Sequence, residues 1–263
     1  MGSPMSDGMA LMLPETLQAP NLHHLMLSSF TCPIQPRLRP NAASLVTLHL
    51  IIDRQSAYFP PNILLQWISF MPQLEILAIN FKFPVPNRDV ERQLTRGPIM
   101  THITLPVLRF SWFQGVSAYL EALICRITTP CLEDLTINLF KQLTFSLPCL
   151  AQFMITTENL RFDHAWIEFE DKQISVGMFS RETDTSNTHS FSLTVDCGHL
   201  DWQVFSMAQI SNALSQVFSV VGRLYLEQEV HSRSSEEDNV VDRMEWRNLL
   251  HQEDDTRLGV TRP

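Results

Sequence analysis

Glycine is scarce in this 263-residue chain, eight in all, and none falls in a GxGxxG or GK[ST] pattern, which excludes the common phosphate cradles. Cysteine is sparse as well. Cys32, Cys125, Cys131, Cys149 and Cys197 are scattered without a CxxC pair, matching neither a disulfide framework nor a zinc site and predicting buried, reduced thiols. No run approaches the roughly eighteen apolar residues that a membrane span needs. Lys and Arg are missing before Arg37, so the apolar run Met9–Leu13 lacks the basic flank of a signal peptide. Met1-Gly2 with Ser6 fits the loose myristoylation pattern, but no basic cluster follows, and a single acyl chain anchors weakly. No N-x-[ST] sequon occurs. A cytoplasmic or nuclear location with no membrane attachment is expected. Basic residues number 19 against 28 acidic ones, and the net charge of −9 disfavours nucleic acid as a partner.

Catalytic patterns are missing too. There is no GxSxG elbow and no HExxH. Asp163-His164 and His23-His24 are adjacent pairs, and on a strand neighbours point to opposite faces, so neither is expected to act together. Glu236-Glu237-Asp238 and Asp254-Asp255 read as a solvated tail. No catalytic residue, cofactor or metal is expected, and the chain is read as a non-enzyme.

What the chain does contain is an imperfect repeat, P-x-L-x-x-apolar-x-apolar. It appears at Pro20-Asn21-Leu22 with Leu25 and Leu27, and at Pro72-Gln73-Leu74 with Leu77 and Ile79. It returns at Pro130-Cys131-Leu132 with Leu135 and Ile137, and at Pro148-Cys149-Leu150 with Phe153 and Ile155. Leu45, Leu48 and Leu50 give the same core without the proline, as do Val221, Leu224 and Leu226. Another copy lies near Leu105, Leu108 and Phe110, where Pro106 also suits a register three residues later. Single matches carry little weight at 44% apolar content. The spacing carries more: first leucines at 22, 45, 74, 105, 132 and 150 step by 23, 29, 31, 27 and 18 residues. That straddles the period of leucine-rich repeats, in which each L-x-x-L-x-L is a short strand.

Helical spacing fills the intervals. Asn62–Met71, Val116–Ile124 and Gln203–Val221 each carry an apolar stripe, and Asn87–Leu94 suits a short helix. Ala165–Phe179 alternates around Glu170-Asp171-Lys172, which predicts an inserted β-hairpin, with Phe191–Val195 available as a third strand. The fold class is therefore α/β: a leucine-rich-repeat-like solenoid with a concave sheet of short strands and outer helices. Residues 1–12 read as a disordered lead, 13–230 as the repeat domain with its hairpin insertion over 165–197, and 231–263 as an acidic tail. Val240–Leu250 has the apolar content for one more helix, and the last thirteen residues read as unstructured.

In L-x-x-L-x-L the leucines point inward and the residues between them outward. The outward row is His24 and Met26, Thr47 and His49, Ile76 and Ala78, Asp134 and Thr136, Gln152 and Met154, then Arg223 and Tyr225. Mixed in polarity, it suits a protein or peptide partner on the concave face.

Several blocks resemble mushroom-type (basidiomycete) fungal F-box proteins with divergent leucine-rich repeats. They are LPETLQAPNLHHLML (Leu13–Leu27), FMPQLEILAINF (Phe70–Phe81), ITLPVLRFSWFQGVSAYLEAL (Ile103–Leu123) and FSLPCLAQFMITTENLRF (Phe145–Phe162). HLDWQVFSMAQISNAL (His199–Leu214) and DRMEWRNLL (Asp242–Leu250) are similar too. The resemblance implies a substrate-recognition domain of a ubiquitin ligase subunit, whose F-box docks on the adaptor of a cullin-type ligase. Here Leu13-Pro14-Glu15 passes straight into a repeat, with no room for the roughly forty-residue helical bundle. A repeat region without its F-box is expected, with a protein substrate as its partner and without the bundle that docks the adaptor in the family. The alternative is a truncated gene fragment with no function of its own.

Overall fold

The computed structural model describes residues 11–12, 21–28, 30–31, 43–54, 58–83, 102–142, 146–180 and 191–228. The helix expected over Asn87–Leu94 and the tail from His231 lie outside these residues.

The proline of the repeat has a mechanical role. In Met71-Pro72-Gln73-Leu74 the Leu74 N–H donates to the Met71 carbonyl, closing a turn with proline at its second position. Leu105-Pro106-Val107-Leu108 and Thr129-Pro130-Cys131-Leu132 close in the same way. Proline's fixed φ suits that position, and its missing N–H costs nothing there. The leucine ending each turn is buried, and a strand begins two residues later.

The strands that follow are β2 (His24–Ser28), β4 (Thr47–Ile52), β5 (Ile76–Phe81), β7 (Phe110–Gly115) and β9 (Asp134–Leu139), parallel neighbours in that order. At each strand entrance one carbonyl accepts two N–H groups from the next strand's approach. His23 takes Val46 and Thr47, Val46 takes Glu75 and Ile76, Glu75 takes Arg109 and Phe110, and Arg109 takes Glu133 and Asp134. Pairing sets Leu48 beside Leu77 and Leu77 beside Ser111, so Leu108 is the counterpart of Leu74. The register marked by Pro106 is the one adopted. Phe113 is buried, and Phe110 is left 40% exposed on the other face.

Beyond β9 the pattern changes. β10 (His164–Phe169), β11 (Gln173–Phe179) and β12 (Phe191–Asp196) form an antiparallel meander, and β12 lies parallel beside β9. The expected hairpin is thus built into the sheet, with Phe191–Asp196 as its third strand. β13 (Arg223–Gln228) adds in parallel to the far side of β10, and the Asp163 carbonyl accepts from Gly222 and Arg223 just as the earlier entrance carbonyls do. The result is one open, nine-stranded, mostly parallel sheet in the order β13-β10-β11-β12-β9-β7-β5-β4-β2. Two small parallel pairs flank it: β1 (Leu11–Met12, within the expected lead) with β3 (Phe30–Thr31), and β6 (Ile103–Thr104) with β8 (Ile127–Thr128). No described helix is long and apolar enough to cross a membrane.

The helices are α1 (Pro61–Ile68), α2 (Ser117–Ile124), α3 (Pro148–Thr156), α4 (Leu200–Ala213) and α5 (Ser215–Phe218). They share a single apolar core with one face of the sheet. Leu48, Leu50, Leu77, Ile79, Phe113, Leu135 and Ile137 from the strands join Leu64, Ile68, Tyr119, Leu123, Leu150 and Ile210 from the helices. Tyr119 sits at its centre, fully buried, its ring edge-on to Phe81 at 4.8 Å and its hydroxyl donating to the Phe59 carbonyl at 3.2 Å.

One repeat assignment is overturned. Pro148-Cys149-Leu150 with Phe153 and Ile155 does not start a strand; it is α3. Pro148 stands in the first turn, where its missing N–H would be unpaired anyway. Burial then falls on Leu150, Phe153 and Met154, the spacing of a helical face, while Ile155 is 49% exposed. The Glu121 carboxylate, midway along α2, accepts the Cys149 and Leu150 N–H groups at 2.8 and 3.0 Å, capping α3 from a neighbouring element. Glu121→Ala should lower the unfolding free energy by about 1–3 kcal/mol, because it strands these two donors. Glu121→Gln keeps an acceptor and should cost less. Burial outweighs the two hydrogen bonds and holds the Glu121 carboxyl above its ordinary range. A carboxyl raised in the folded state favours folding when protonated, and that advantage is lost as pH rises through its raised value. Wild type should therefore gain on Glu121→Gln as pH falls from neutral into the carboxylate range, read by denaturant unfolding.

Candidate functional site

Among the described residues, no helix packs on the sheet face turned away from the core. Register places His24, Thr47, Ile76, Phe110 and Asp134 in one row across β2, β4, β5, β7 and β9. Met26, His49, Ala78, Trp112 and Thr136 form the next row, which continues through Ser192, Gly177, Trp166 and Tyr225. Met26 is 64% exposed, and Thr47, His49, Asp134 and Thr136 are half-buried. His24 Nδ1 lies 3.0 Å from Thr47 Oγ1, and Thr136 Oγ1 donates to Asp134 Oδ1 at 3.2 Å. Ten of the twelve residues expected on this face are brought together here: His24, Met26, Thr47, His49, Ile76, Ala78, Asp134, Thr136, Arg223 and Tyr225.

Gln152 and Met154 do not join them. Both ride on α3, Gln152 exposed and Met154 buried to 2% in the helix-side core, because the segment takes the helical period and not the strand one. In exchange the face gains Phe110, Trp112, His164, Trp166 and Phe179. Phe110 and Trp112 were hidden by the Leu105 register. The others lie on the meander, which carries no leucine signature. Its alternation did hold the signal: Ala165, Ile167 and Phe169 face the core, so His164, Trp166 and Glu168 face out.

These rings form a platform. Phe179, His164 and Tyr225 stack across β11, β10 and β13, with centroids 5.1 and 6.1 Å apart and planes within 19° and 8°. His164 is buried between its neighbours, and its Nδ1 lies 2.7 Å from Asp163 Oδ1. The expectation that this pair would stay apart is corrected: Asp163 precedes the strand and is free of its alternation. Trp166 lies over Gly177, where an added Cβ would collide with the indole Nε1. Glycine is required here by close approach. Gly177→Ala should push the indole off the sheet, costing about 1–3 kcal/mol as overpacking and red-shifting the tryptophan emission. The same substitution in a Trp166→Phe background should leave the emission unshifted.

The face carries the carboxylates of Asp134, Glu168, Asp196 and Glu227, with Arg223 on β13 beside His164. Beside it, Arg109 and Glu133 form a two-bond pair at 2.9 and 2.8 Å, with the guanidinium 5.5 Å from the Phe110 ring. Such an exposed pair contributes little to stability. A broad, aromatic-rich, weakly anionic surface can hold a protein segment through many modest contacts. Compared with protein-family models, with curated proteins and with solved structures, the chain finds no match in any of the three.

Proposed function

We propose that the chain is a non-enzymatic protein-binding module, a leucine-rich-repeat-like solenoid whose open sheet face receives a segment of a partner protein. The observation that carries this reading is the asymmetry of the sheet. Every described helix sits on one face, and the other presents half-exposed aromatic and polar side chains with no described helix or strand packed over them. The turn-closing prolines and the repeating carbonyl at each strand entrance support a repeat origin for β2 to β9. With the sequence resemblance, they favour a substrate-recognition role in a cullin-type ubiquitin ligase of fungal F-box type. The test is a tagged pull-down from fungal lysate with a Thr47→Lys/His49→Glu/Thr136→Lys variant beside the wild type. The reading predicts proteins retained by the wild type and lost by the variant at an unchanged melting temperature. Equal retention by both would overturn it. Recovery of the ligase adaptor and cullin with the substrate decides for the ligase role, and their absence decides against it.

A further inference from the structure

We propose that Cys125 and Cys149 are a peroxide-responsive thiol pair, closing to a disulfide that staples α2 to α3 with Glu121 as the base. The sequence predicts buried thiols, yet of the four described cysteines only Cys197 is buried. Cys125 and Cys131 are exposed, and Cys149 is half-buried. Cys125 follows the last residue of α2, and Cys149 stands in the first turn of α3. Glu121 and Cys125 are four residues apart and share one helix face. That face meets α3, because the Glu121 carboxylate holds the Cys149 N–H at 2.8 Å. Cys125 folds back along its helix, its Sγ 3.7 Å from the Ala122 carbonyl. The Cys149 thiol lies within hydrogen-bond reach of both the Cys125 sulfur and the Glu121 carboxylate. Cys131 belongs to the turn before β9, beside Arg109.

The oxidant is hydrogen peroxide or another hydroperoxide. Exposed Cys125 reacts first, its sulfur taking one peroxide oxygen to give a sulfenic acid and one water. The Cys149 sulfur then attacks the Cys125 sulfur, forming the S–S bond as the S–O bond breaks. Glu121 takes the Cys149 proton and passes it to the departing hydroxide, which leaves as the second water. Two thiols lose two electrons, and one peroxide gains them. Burial and then the Glu121 carboxylate push the Cys149 thiol up to about 12, so it attacks only as its proton is removed in place. The bond joins positions 24 residues apart and closes a loop that carries β9, the strand presenting Asp134 and Thr136 to the open face. Such a cross-link stabilises chiefly by restricting the unfolded chain, and a dithiol reductant releases it.

The test treats the folded full chain with hydrogen peroxide, alkylates the remaining thiols and maps disulfides after trypsin. Cleavage after Arg126, Lys141 and Arg161 puts Cys125, Cys131 and Cys149 on separate peptides. The Cys125 peptide should be found linked to the Cys149 peptide. The melting temperature should rise by about 5–10 °C and return on adding dithiothreitol. Cys131→Ser should form the same link. Glu121→Gln keeps a hydrogen-bond acceptor at α3 and should slow link formation about tenfold or more, while dimedone traps sulfenic acid on Cys125. Link formation at the wild-type rate in Glu121→Gln would overturn its role as the base. Links through any other cysteine, or Cys149 left free while Cys125 passes on to sulfinic acid, would overturn the pair. So would a link that forms only in the urea-unfolded chain.

Discussion

Leu135→Ala should lower the free energy of unfolding by about 2–5 kcal/mol, while Thr136→Lys, one residue along, should change it by about 1 kcal/mol or less. Both side chains lie on β9, in the middle of the sheet. Leu135 is 3% exposed and sits in the core shared with the helices, so deletion to Ala removes apolar contacts and leaves a cavity. Thr136 faces the other way, half-buried between Trp112 and Ser192 in its row, and a lysine there extends into solvent. Urea unfolding of the two variants measures the difference. Comparable losses, or a larger one at Thr136, would mean the faces are reversed. Leu77→Ala belongs to the same class, since Leu77 is buried to the same 3% on β5.

Tyr119→Ala should be costlier than most core deletions, at about 3–5 kcal/mol, the range of a large aromatic. Its ring meets Phe81 edge-on, stacks with Phe113 at 6.1 Å, and meets Tyr58 edge-on at 6.0 Å. It therefore joins α2 to β5, to β7 and to the segment before α1. Tyr119→Phe isolates the hydroxyl, whose bond to the Phe59 carbonyl crosses 60 residues of chain. That variant should lose about 0.5–1.5 kcal/mol, the net value of one hydrogen bond. Thermal or urea unfolding separates the two. A Tyr119→Phe loss as large as that of Tyr119→Ala would show that the hydroxyl, not the ring, holds the cluster.

The half of the sheet from β2 to β9 was largely legible in the sequence because its strands carry a local code, although β4 lacks the proline and β7 suited two registers. A turn proline, a buried leucine and two further inward apolar groups suffice to fix register, as at Leu74, Leu77 and Ile79. The code fails at Pro148, where L-x-x-F is equally compatible with both periods. Only Met154, buried one residue after Phe153, decides for the helix, assisted by a carboxylate 28 residues upstream. The meander was visible as alternation, but its position inside the sheet was not. Which strand lies beside β9 depends on long-range pairing between Phe191 and Leu135, which no local pattern encodes. For the same reason the aromatic platform, assembled from β10, β11 and β13, could not be read one strand at a time.

The central claim, that the partner sits on the open face, is tested most directly by a photo-crosslinking amino acid placed at Thr136 and, separately, at Gln152. Thr136 lies mid-sheet on the open face, and Gln152 is exposed on the helix side. The account predicts a partner adduct from position 136 and none from position 152. Adducts from 152 alone would place the partner on the helices and contradict it.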